Sequence, residues 1–117
     1  MLLACASAVL AMANPTSANV GYVPLIEGRD EAAIEELMAN NDLADNDPVK
    51  LINLGIAYAR QGRSKEARAM FEAAMRSSDR AVLETAEGQW VESRHLARLA
   101  LQMLERGELR ADRMAAR

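Results

Sequence analysis

Aromatic side chains are scarce in this chain, with one Trp, one Phe and two Tyr among 117 residues. A core built on an aromatic cluster is therefore excluded, and the interior must be aliphatic and alanine-rich, which favours closely packed helices. Cysteine is rarer still: Cys5 stands alone, so neither a disulfide framework nor a thiolate metal site can be assembled within one chain. The one histidine, His95 beside Arg94, falls on a predicted helix, where a solvent-facing or capping role is expected in place of catalysis. Positive charge is not in excess. Fourteen Lys and Arg against seventeen Asp and Glu give a net charge of −3 and a pI near 5.2, which argues against nucleic acid as partner, because that requires a basic face. Arg106, Arg110, Arg113 and Arg117 make the C-terminus locally basic, but Glu105, Glu108 and Asp112 are interleaved with them, the pattern of a solvated tail.

These absences leave no catalytic constellation. No convergent acid, base and nucleophile is visible, and no Gly-rich phosphate loop occurs, since Gly55, Gly62 and Gly88 are each accounted for by packing or turning. Asp42, Asp45 and Asp47 share a loop that lacks the Gly and terminal Glu of a calcium site. Glu31, Glu35 and Glu36 belong to the polar face of a helix. The expectation is a non-enzyme with no metal and no cofactor.

No charged side chain precedes Glu27, and Leu2 to Ala13 is almost wholly apolar. That run is shorter than the ~20 residues needed to cross a bilayer. Ala11-Met12-Ala13 offers a small-x-small cleavage site and Thr16-Ser17-Ala18 a weaker one, so residues 1–18 are expected to be a signal-peptide-like segment. The mature chain is then periplasmic or secreted, with no stable membrane span. Leu2-Leu3-Ala4-Cys5 superficially matches a lipoprotein box, but the apolar run continues past the cysteine, which disfavours lipidation.

What the chain does have is helical punctuation. Asp47 suits an N-cap and Pro48 the first helical position, where its missing N–H is no loss. Leu51, Leu54 and Tyr58 then recur on one stripe of a helix expected over residues 48–60, with Gly55 beside them allowing close approach. Gln61-Gly62-Arg63 breaks the run, and Ser64 is the expected cap of a second helix whose inner face is Ala67, Met70, Phe71 and Ala74. Phe71 and Tyr58 are long enough to span the narrow crossing, which predicts an antiparallel hairpin.

In order and spacing, Leu51, Leu54, Gly55, Tyr58, Gly62, Ala67, Phe71 and Ala74 resemble the signature of a tetratricopeptide repeat. Leu51 stands where the family has Trp, and Asp79 where it has Pro. A shift of 34 positions carries Gly62 onto Gly28, Ala67 onto Ala33 and Phe71 onto Leu37, so residues 30–40 resemble the second helix of a preceding repeat. Pro24 falls in the place of Tyr58, and its first helix is expected to be missing or degenerate. The same shift fails downstream.

Beyond Asp79, the large and β-branched residues on either side of Glu87-Gly88 predict a short β-hairpin around 82–91. Ser93 is the expected cap of a final helix to about Arg106, stopped by Gly107, with Leu96, Leu99, Ala100 and Met103 on one stripe. Trp90 is expected in the core. The expected architecture is an all-α fold of tetratricopeptide-like helical hairpins with a C-terminal capping helix. It comprises a partial repeat at 19–47, a full repeat at 48–81, the hairpin and capping helix at 82–107, and a flexible tail at 108–117.

The family resemblance implies that the first helix of the repeat lines a groove, which makes Val49, Ile52, Asn53, Ile56 and Arg60 the candidate protein-binding residues. Some family members grip a carboxylate with Lys and Asn there; Ile52 and Ile56 occupy the neighbouring places, so an apolar or mixed peptide fits better. The stripe is either an open groove or is covered by the C-terminal helix, the hairpin or the N-terminal segment. The implied function is a non-catalytic interaction module of the bacterial cell envelope. The alternative is a structural subunit that uses the stripe to form homo-oligomers.

Overall fold

The computed structural model of the protein describes residues 11–12, 24–25, 27–85 and 88–109. The expected cleavage sites at Ala13 and Ala18, Cys5, and the arginines from Arg110 onward lie outside them. Among the described residues the chain is mostly helical, with a small antiparallel sheet. Its elements are β1 (Ala11–Met12), α1 (Asp30–Ala39), α2 (Pro48–Arg60), α3 (Ser64–Arg76), β2 (Val82–Thr85), β3 (Trp90–Glu92) and α4 (Ser93–Glu105).

The start of α2 follows from its sequence. Asp47 holds extended backbone, and its Oδ1 accepts from the N–H groups of Val49 and Lys50 at 2.9 and 3.1 Å, with Pro48 as the first helical residue. Two of the donors that a helix start leaves unpaired are thereby satisfied. The other two predicted caps differ. Ser64 and Ser93 are the first residues inside their helices, and the caps are Arg63, with no side-chain hydrogen bond, and Glu92, whose carboxylate accepts from the Arg94 N–H. The Ser93 hydroxyl instead accepts from Ala81 N–H at 3.1 Å, tying the start of α4 to the base of the hairpin.

Helix ends repeat one device. After α2, Gly62 has φ +78°, its N–H donates to Ala59 O at 3.0 Å, and Arg63 N–H donates to Tyr58 O at 2.9 Å. Only glycine takes that φ freely, and the two bonds satisfy carbonyls the helix leaves open. The same pair of bonds occurs 34 positions earlier. Gly28, also at φ +78°, donates to Leu25 O, and Arg29 donates to Pro24 O. Pro24 and Leu25 are helical, and proline, though it lacks an N–H, accepts here through its carbonyl; the residues just before Pro24, where the preceding repeat's first helix is expected to be missing or degenerate, lie outside the described ones. After α4, Gly107 and Glu108 close on Leu104 and Met103 in the same way. Leu109 beyond them is buried, so the packed domain runs past residue 107, and residues 108–109 are not part of the tail expected from there.

The core centres on α2, which packs against α1, α3, α4 and β1. Phe71 of α3 is fully buried and lies against Gly55, where an added Cβ would come within 2.7 Å of Cδ1 and 2.8 Å of Cζ. Glycine at 55 is thus required by a ring; the sequence had suggested a backbone. Leu51, Leu54, Ala67 and Ala74 are buried as expected, and Tyr58 is half-buried with the Arg63 guanidinium 4.6 Å over its ring.

The hairpin is present. β2 and β3 pair antiparallel with Val82 opposite Glu92, Leu83 opposite Val91 and Glu84 opposite Trp90. The departure from an all-α fold is larger than predicted, because Ala11 and Met12 add a third strand opposite Thr85 and Glu84, giving the order β1-β2-β3.

Candidate functional site

The five residues expected to face a groove are all buried. Ile52, Asn53 and Ile56 have no exposed surface, Val49 keeps 3% and Arg60 7%. The cause is the central position of α2: helices α1, α3 and α4 and strand β1 all pack against it, so its second apolar stripe is interior. Of the two alternatives for this stripe, the covered one holds, which corrects the placing of Val49, Ile52, Asn53, Ile56 and Arg60 as groove-facing residues.

Arg60 illustrates what this burial demands. Its Nη1 donates to Leu25 O at 2.5 Å and to Asp30 Oδ1 at 3.3 Å, and the side chains of Arg60 and Asp30 are 6% and 11% exposed. A buried guanidinium must be paired in this way. Removal from water raises the Asp30 carboxyl above its ordinary value of 3.8, against the opposing pull of the Arg60 charge and hydrogen bond. The pair fastens the helical turn at Leu25 and the start of α1 onto the end of α2, a structural role. Lys50 is buried along its stem while Nζ reaches the exposed Asp45 at 3.3 Å, as long amphipathic side chains do.

Among the described residues the large apolar side chains that face water are Met38 of α1, 59% exposed, and two on the hairpin. Successive residues of a strand point to opposite faces, so the cross-strand register places Val82 and Glu84 of β2 with Trp90 and Glu92 of β3 on one face. Leu83, on the other face, is fully buried, whereas Val82 is 58% and Trp90 64% exposed. Trp90 thus lies outside the core expected for it. The signal that places it was present in the chain: Glu92, two residues on, shares its face. The outer face offers an indole and a β-branched side chain diagonal to each other, flanked by two carboxylates, one of which is engaged in capping α4.

Among the described residues no group of three His, Cys, Asp or Glu side chains could hold a metal ion, and no helix is long and apolar enough to cross a membrane. His95 is exposed. A shallow depression at the end of α4 is lined by Gln102, Glu105 and Arg106, which lacks both a nucleophile and an apolar wall. Comparison of the chain with protein-family models, curated proteins and solved structures finds no match in any of the three.

Proposed function

We propose that this chain is a non-catalytic protein-interaction module of the bacterial cell envelope, a tetratricopeptide-like helical framework whose contact surface is the outer face of the β2–β3 hairpin. The observation that carries the reading is the contrast between α2, whose apolar side chains are buried apart from the half-buried Tyr58, and Trp90, left 64% exposed beside Val82. Exposed aromatic residues of this kind anchor interfaces: indole supplies a large contact area at small entropic cost. The repeat reading is supported by the 34-residue offset at which Gly28-Arg29-Asp30 and Gly62-Arg63-Ser64 end one helix and begin another with the same bonds and backbone angles.

In-cell photo-crosslinking from position 90, with the crosslinked protein identified by mass spectrometry, tests the proposal. One specific adduct is expected, competed by the unmodified chain. An adduct made only of a second copy of the chain would establish the structural-subunit alternative, now through the hairpin and not through the buried stripe. No adduct from position 90, with specific adducts from α3 or α4, would refute the assignment of the surface.

A further inference from the structure

Arg63 shows how this chain satisfies an aromatic ring that stands beside a carboxylate. Its guanidinium lies 4.6 Å over the Tyr58 ring, and its Nε donates to Glu66 Oε2 at 3.0 Å. A guanidinium suits that place because it is flat: one face stacks on the ring while the edge donates to the carboxylate. The hairpin repeats two of those three parts. Ser93 N–H donates to Ala81 O at 2.8 Å, which makes 81 and 93 a hydrogen-bonded pair and, by alternation, 84 and 90 a non-hydrogen-bonded one. Side chains stand closer in pairs of that kind, with Cβ atoms about 4.5–5.5 Å apart. Glu84 faces Trp90 across this pair, and its Oε1 reaches toward the turn, 3.9 Å from where a Cβ on Gly88 would lie. Among the described residues no cation stacks on the indole and none pairs with Glu84.

We propose that Trp90 and Glu84 together receive an arginine side chain of the partner protein, whose guanidinium stacks on the indole and donates to the Glu84 carboxylate, as Arg63 does with Tyr58 and Glu66. This deepens the interaction-module reading and rests on it, by naming what the hairpin face selects. Charge favours that occupant. Glu84 and Glu92 lie on the same face of the hairpin, and Glu92 is committed to the cap of α4, which leaves Glu84 as the acceptor for an incoming cation. Indole is the best of the aromatic rings for holding a cation, and Trp90 is already 64% exposed. Lysine fits less well, because its ammonium is strongly hydrated and cannot lie flat on a ring. An acidic segment is repelled by both carboxylates.

The test uses the full chain and its single tryptophan, whose indole N–H gives one NMR cross-peak and so reports on this position alone. At constant ionic strength, N-acetyl-arginine amide should shift that cross-peak saturably. N-acetyl-lysine amide should bind more weakly, and N-acetyl-citrulline amide, which keeps the shape without the charge, should leave the cross-peak in place. Glu84→Gln should weaken arginine binding by about twofold to fivefold, the worth of an exposed ion pair. The proposal is overturned if arginine amide causes no saturable shift, if citrulline or lysine amide matches it, or if a folded Glu84→Gln chain binds arginine amide as the parent does. The comparison of the three amides needs no substitution, so it decides the matter even where Glu84→Gln fails to fold. A specific crosslink from position 90 with no response to arginine amide would retain the surface and overturn the arginine, so the two readings fail separately.

Discussion

Phe71 sets how closely α2 and α3 approach, because its ring occupies the space that any side chain at position 55 would need. Phe71→Ala should cost about 3–5 kcal/mol, a large part of the ~5–15 kcal/mol that holds a domain of this size together, measured as a loss of denaturation free energy in urea. Gly55→Ala should also destabilise, by about 1–3 kcal/mol, although alanine is the better helix former by about 1 kcal/mol; the added Cβ meets the ring at 2.7 Å. Combining it with Phe71→Leu should cost less than the sum of the two changes, and strict additivity would show that the contact is absent. Asp30 gives a pH-dependent counterpart. Its carboxyl titrates above 3.8 because burial outweighs the Arg60 charge, so its contribution to stability is greatest below the unfolded value and declines as pH rises through the folded one. NMR titration of Arg60→Met, if the variant folds, should find the Asp30 midpoint higher still, since both opposing influences are gone. The small residues and the ring between α2 and α3 were legible because their spacing on the two helices places them on facing stripes. The Arg60–Asp30 pair was not, because it joins positions thirty residues apart and neither side chain belongs to an apolar pattern.

At the scale of elements, helix starts and stops were readable where one residue type supplies a specific geometry. Asp47, Pro48, Gly62 and Gly107 are such cases. They failed where two candidates stood side by side: Ser64 and Ser93 have the right chemistry but sit one residue too far along. Removing the carboxylate in Asp47→Ala should therefore cost about 0.5–2 kcal/mol, whereas Ser64→Ala should stay within about ±0.5 kcal/mol. Thermal melts of the two variants side by side check this, and equal losses would mean that Ser64 is a cap after all. The hairpin was legible from Gly88 and its β-branched flanks. Strand β1 was not, since edge pairing uses main-chain groups that every residue carries, and Ala11-Met12 sits in an apolar run with no alternation to betray a strand.

At the scale of the molecule, the difficult question was which of two apolar stripes on α2 faces water, and the answer depends on how many neighbours the chain folds around that helix. From the sequence that side is either open or covered by the C-terminal helix, the hairpin or the N-terminal segment; α4 after the hairpin and β1 before α1 cover it, and no local pattern decides between the two. Two charge insertions separate a covered stripe from an exposed face. Ile52→Glu places a carboxylate where the side chain has no exposed surface, so the change should cost on the order of several kcal/mol and remove the cooperative melt. Trp90→Glu puts the same charge on a face that is already 64% open, so the melting temperature should barely move, within about ±0.5 kcal/mol of stability. The interaction made from that face should nevertheless be lost, because the anchor is gone and a carboxylate must be desolvated on binding. Should Ile52→Glu melt like the parent, α2 is not the central helix. If Trp90→Glu unfolds the chain, the indole is structural, and the hairpin cannot be the proposed interaction surface.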